Sequence, residues 1–260
     1  MTRISVRRRL SPIFLSVIFL SSAAHAVTVF EDDFDYEDVD ALRSAYPIVE
    51  TNGGAPVNLG TNAAIDPDQP YLSLSNVIVE RGIGTTLTED WTVSYNVIHT
   101  SYQRYTWFAM LNDEGTEGYA FSWNSGSDTS YAGNGYVTIQ KQTEAVSGWN
   151  DSSVFTSLSP NVNSGHNAIG GDGEGMALFE ASWDSATGTI TLSVDGVELA
   201  SVTDTSFDSF SKIQIKGNAY QAYDNLVITS SIPEVSTSSA FMGMIVLFAC
   251  VGNQVSRRRR

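Results

Sequence analysis

Hydrolysis of a glycosidic bond takes two carboxylates, one on each side of it. The sequence comes nearest to supplying such a pair at Glu31-Asp32-Asp33, within VFEDDFD. A second acid, Glu180 in FEASWD, has Ser182 rather than a carboxylate two residues on, where a strand would place its same-face neighbour. Nucleophilic chemistry has less to work with. Between Val27 and Ile232 there is no cysteine and no G-x-S-x-G, and the histidines are His99 and His166. Two isolated imidazoles without a thiolate also exclude a zinc site of ordinary composition.

Calcium needs only oxygen ligands, and two aspartates are placed for it. Counting by twos along a strand, Asp32 shares the inward face of Phe34, and Asp224 shares that of Leu226. If the first and last strands are neighbours, Asp32 and Asp224 converge, and a cation would relieve their repulsion. The loop GGDGEG, Gly170 to Gly175, occurs once and reads as a flexible acidic loop.

Aromatic rings stack on the apolar faces of sugars. The candidates are Tyr102, Tyr105, Trp107, Trp123, Tyr131, Tyr136 and Trp149. Tyr102, Tyr131 and Trp149 lie in or beside turn-rich segments, where ligand-binding residues concentrate, and are the expected ligand contacts. Trp107 and Trp123 sit inside strand patterns and are expected in the core.

The elements that must position these residues are strands. WTVSYNVI sets Trp91, Val93, Tyr95 and Val97 on one face and Thr92, Ser94 and Asn96 on the other. YTWFAML, GYAFSWN, GYVTIQK, ALFEASW, TITLSV and KIQI continue the alternation, with Gly, Asn, Asp and Ser clusters between them. Asp195-Gly196 predicts a two-residue hairpin turn. VDALRSAY, Val39 to Tyr46, is the one stretch with helical spacing, two turns at most. Segments 52–69 and 147–175 read as irregular loops. The pattern predicts an all-β antiparallel sandwich of two sheets over residues 27–232, long enough to bury its own core without disulfides.

That domain carries 28 acidic and six basic side chains, a net charge of −22, against −15 for the whole 260-residue chain. Such a field repels phosphate backbones, so nucleic acid is excluded as a partner.

The remaining arginines mark the two ends. Arg3, Arg7, Arg8 and Arg9 precede the apolar run Leu10 to Leu20, and Ala24-His25-Ala26 follows as an A-x-A cleavage site. Residues 1–26 therefore read as a secretory signal peptide with a mature start at Val27. Residues 233–260 open with Pro233-Glu234, continue through a small polar spacer into the twelve-residue apolar run Ala240 to Val251, and close on Arg257, Arg258, Arg259 and Arg260. The run is expected as a hydrophobic helix, shorter than the ~20 residues of a full span. This layout resembles the bacterial PEP-CTERM sorting signal. The resemblance implies transient membrane anchoring, processing by an exosortase-like membrane protease near Pro233-Glu234, and a place at the cell surface or in the extracellular matrix. It departs from the family pattern in Pro233-Glu234-Val235, where that family has Pro-Glu-Pro.

VFEDDFD, the hairpin DSATGTITLSVDG and the closing AYDNLVI resemble the concanavalin A-like, laminin-G-like jelly-roll superfamily. The resemblance implies a jelly-roll sandwich whose terminal strands lie side by side, and it has calcium-binding relatives. Its glucanases often carry Glu-x-Asp-x-x-Glu; here the third position is Tyr36, and Glu37 comes one residue late. The expectation is a non-catalytic protein binding an extracellular glycan or matrix polymer. A divergent glycoside hydrolase or lyase, and a structural surface-layer or biofilm component without a small ligand, stand as alternatives.

Overall fold

The computed structural model describes residues 25–53, 57–61, 70–98, 104–125, 135–149, 151–165, 176–218 and 221–232. His25–Ile232 form one compact unit. The expected signal peptide, hydrophobic tail helix and arginine run lie outside the described residues, apart from His25 and Ala26. Among the described residues no helix is long and apolar enough to cross a membrane.

The alternating segments pair into two antiparallel sheets of eight strands each. The first contains β1 (His25–Asp32), β3 (Val57–Gly60), β4 (Tyr71–Leu74), β6 (Trp91–Ile98), β12 (Ala177–Asp184), β13 (Thr189–Val194), β14 (Val197–Thr203) and β16 (Gln221–Ile232). Its order is β14-β13-β12-β6-β16-β4-β3, with β1 paired to β16. The second contains β2 (Ile48–Thr51), β5 (Val77–Leu87), β7 (Arg104–Leu111), β8 (Gly118–Ser125), β9 (Tyr136–Gln142), β10 (Phe155–Ser157), β11 (Val162–Asn163) and β15 (Phe210–Gly217). Its order is β10-β9-β8-β7-β15-β5-β2, with β11 also on β9. The terminal strands are neighbours as expected: His25 faces Ile232 and Asp32 faces Leu226.

One face of each sheet builds the shared core. Trp91 packs against Trp183, Phe121 and Phe210, and Tyr95 against Phe108 and Phe179. Burying side chains of this size is the main favourable term for a domain with no covalent staple. The expected helix forms as α1 (Val39–Ala45), capped by the Asp38 carboxylate on the Ala41 N–H, with Leu42 fully buried. The Asp195-Gly196 turn has φ of +51° and +76°, the left-handed pair that a type I′ hairpin requires.

Among their described residues, the two segments expected to be irregular hold three short strands: β3 in the first, β10 and β11 in the second. They run along sheet edges and are two to four residues long, too short for an alternation to register in the sequence.

The register defines two poles. β6, β8 and β15 end at one pole, where β7, β9, β12 and β16 begin. His25 and Ile232 lie at the other, as does Asp90, which accepts from the Ser185 N–H through its carboxylate and from the Ser231 N–H through its carbonyl oxygen.

Candidate functional site

The outward face of the second sheet is unusual in carrying an apolar cluster of its own. Alternation turns Phe108, Met110, Phe121, Val137 and Ile139 into the shared core, and turns Tyr105, Trp107, Ala109 and Ala120 outward. The segment after β9 folds back over part of this outward face. Its Val146 and Val154 join Trp107, Leu111 and Ile78 in the second cluster, which is why Trp107 is only 1% exposed although it points away from the main core.

The covering segment is held by one aspartate. Asp151 accepts from the Ser147 and Ser153 backbone N–H groups at 3.2 and 3.0 Å and from both hydroxyls at 2.7 and 2.6 Å. These bonds, led by the Ser153 hydroxyl, hold its carboxyl well below the usual range. The turn so fixed carries Trp149, which is half-buried. The Trp149 ring lies 5.4 Å from the Lys216 ammonium, and Tyr105 approaches the same ammonium at 5.2 Å. Lys216 is 2% exposed, and burial pushes its pKa down to about 8. Beside it the Tyr105 hydroxyl donates to Gln140 Oε1 at 2.7 Å, and Asn124 Nδ2 donates to the Tyr136 hydroxyl at 3.0 Å.

Tyr105, Asn124, Tyr136, Gln140 and Trp149 are all partly exposed. They form a group of three rings and two amides on one face; Tyr105, Asn124 and Tyr136 stand at the pole where β7 and β9 begin, and Gln140 lies four residues further along β9. The Gln140 and Asn124 amides hold the Tyr105 and Tyr136 hydroxyls in place. Among the described residues, the carboxylates on the strands of this face are Glu50 and Glu80. Glu80 is engaged by Lys212 at 2.9 Å and by Gln214 at 2.7 Å, and Glu50 stands on the edge strand β2.

Of the three expected ligand contacts, Trp149 is in this group, and Tyr102 and Tyr131 lie outside the described residues. So do His99, His166 and the GGDGEG loop. Tyr105 and Tyr136 belonged to the wider aromatic set; their alternation inside strands is the signal that they share a face. Trp123 is in the main core, as expected of it.

The proposed convergence of Asp32 and Asp224 does not occur. Asp32 faces Leu226 and points inward, but Asp224 faces Asn96, whose neighbours Tyr95 and Val97 are core residues, so Asp224 lies on the outward side. Counting by twos fails because the ladder shifts between Asp224 and Val227, with Asn225 at φ +50°. Asp32 is also met differently from expectation. Its Oδ2 is paired with the Arg81 guanidinium and accepts from the Tyr36 and Tyr46 hydroxyls, and its Oδ1 accepts from the Phe34 N–H at 2.8 Å. A cation is not needed to balance this carboxylate, because Arg81 does so, flanked by the Phe30 and Tyr46 rings at 4.9 Å each. Among the described residues no group of three or more His, Cys, Asp or Glu side chains is arranged to hold a metal.

No protein-family model matches the sequence, and no curated protein matches it. Solved structures do. The β-agarase A of Zobellia galactanivorans is similar at TM-score 0.53 and 13% identity, over 82% of this chain and 94% of that one. A mixed-linkage glucan GH16 protein of Bacteroides ovatus, solved with a product, is similar at TM-score 0.50 and 12% identity, over 78% of this chain and all of the other.

The fold is a jelly-roll sandwich.

At these identities the likeness defines the fold alone, and that fold hosts both binding modules and hydrolases. A carbohydrate-binding module from Bacillus subtilis also matches, at TM-score 0.47 and 7% identity, over 72% of this chain and 96% of that one.

Proposed function

We propose that this jelly-roll protein is exported and displayed at the cell surface, where it binds an extracellular glycan without cutting it. The observation that carries the reading is the group Tyr105, Tyr136, Trp149, Asn124 and Gln140, gathered on one face beside Lys216. Its rings supply stacking area and its amides supply hydrogen bonds, while Glu80, on the same sheet, is engaged by Lys212 and Gln214. Export and surface display are supported by the leader and the tripartite tail read in the sequence. On this reading the leader is removed after Ala26, and the tail is processed by an exosortase-like membrane protease near Pro233-Glu234.

The test is binding to a panel of polysaccharides and oligosaccharides, including agarose and mixed-linkage glucan, with wild type and with Trp149→Ala and Tyr136→Ala. Each ring contributes about 1–1.5 kcal/mol, so each variant is expected to bind roughly tenfold more weakly. Undiminished binding by both variants would move the site elsewhere. Release of reducing ends from any panel member would replace binding with hydrolysis as the function.

A further inference from the structure

We infer that the domain is displayed end-on, with the ring-and-amide group at the pole facing away from the surface that holds it. The inference rests on the reading that the protein is held at the cell surface, but not on which end holds it. His25 and Ile232 are cross-strand partners, so the segments before 25 and after 232 leave the domain side by side.

The opposite pole is a full strand away. β16 runs twelve residues from Gln221 to Ile232, a separation of roughly 36 Å at the usual rise per residue. Of the group, Tyr105, Asn124 and Tyr136 lie within two residues of the strand ends at that far pole, Trp149 packs on Lys216 one residue from the end of β15, and Gln140 lies four residues in along β9. The termini pole is tied to its own sheet. The Ser231 N–H and the Ser230 hydroxyl both donate to the Asp90 carbonyl oxygen, at 2.9 and 3.0 Å, while Asp90 Oδ1 accepts from Ser185. The end of β16 is therefore anchored between β1 and the turn before β6 rather than left to swing. The partner that fits this geometry is a polymer lying beyond the cell surface, in the matrix or on a neighbouring cell. A chain embedded in the surface to which the protein is itself attached would meet the wrong pole.

The test places one reactive thiol at each pole of the full-length protein in living cells. Both variants carry Cys250→Ser, which removes the chain's single natural cysteine. Val197→Cys sits beside the far-pole hairpin and is 59% exposed in the wild type; Ala186→Cys sits in the exposed turn after β12, at the termini pole. Intact cells are labelled with a bulky, membrane-impermeant maleimide polymer, and the same reaction is run after release by detergent. The expected result is several-fold faster labelling at Val197→Cys on cells, with the two rates equal after release. Equal rates on cells, or faster labelling at Ala186→Cys, would overturn the end-on orientation while leaving surface attachment intact. Finding no cell-associated protein at all would overturn the attachment reading and the inference with it.

Discussion

Replacing Arg81 with methionine removes the charge that balances Asp32 but keeps most of the stem. Two unit charges near 3 Å attract by about 5 kcal/mol at an effective dielectric of ~20. Desolvation offsets part of this, and the Arg81 side chain is 26% exposed against 6% for Asp32, so the pair contributes less than a fully buried one. We take about 2 kcal/mol for the unpaired carboxylate, with about 0.5 kcal/mol for each of the two ring contacts of the guanidinium, or about 3 kcal/mol in all. With a urea slope of about 3 kcal/mol/M for a domain of this size, the unfolding midpoint should fall by roughly 1 M. Arg81→Met combined with Asp32→Asn should recover at least ~1 kcal/mol, because the neutral amide no longer needs a cation. Chelator should leave the wild-type midpoint unchanged, and added calcium should not restore the single variant. A midpoint within ~0.2 M of wild type for Arg81→Met, or a chelator effect as large as the substitution, would refute this account of Asp32.

Other expectations follow from the same geometry. Asp151→Ala should weaken glycan binding through loss of the turn that fixes Trp149, while the urea midpoint moves by less than ~0.3 M, since the turn is exposed. Lys216 has a folded pKa of about 8 against an ordinary value of 10.5, so between those values the unfolded chain binds more protons. Stability should therefore rise as pH goes from 8 towards 10, and Lys216→Met should abolish that rise; a wild-type midpoint that falls over this interval would contradict it. Gly118→Ala should cost more than ~3 kcal/mol, because at φ +156° a Cβ would stand 2.0 Å from the Met110 carbonyl oxygen, in the β7–β8 ladder. A folded Gly118→Ala protein with an unchanged midpoint would show that the hairpin relaxes freely.

What the sequence disclosed and what it withheld have distinct physical origins. WTVSYNVI, TITLSV and the Asp195-Gly196 turn were legible because a half-buried strand enforces alternation and a two-residue hairpin enforces left-handed residues. Trp107 was legible as buried but not as a member of a second cluster, since its cover comes from Val146 and Val154, some forty residues on. The ring-and-amide group was partly legible: Trp149 stood out as a turn aromatic, whereas Tyr105 and Tyr136 acquire their meaning from the pairing of β7, β8 and β9. Asp224 was misplaced because a ladder shift leaves no mark in the composition of AYDNLVI, and one extra residue reverses a face. The partner of Asp32 could not be read at all, because Arg81 lies 49 residues away and pairing across a sandwich has no local signature.

The measurement that bears most directly on the central claim is equilibrium binding of the compact unit His25–Ile232 to the polysaccharide panel, wild type beside Trp149→Ala. The account predicts saturable binding to at least one glycan, about tenfold weaker in the variant, with no release of reducing ends. Absence of binding across the panel, or equal affinity for wild type and variant, would contradict it.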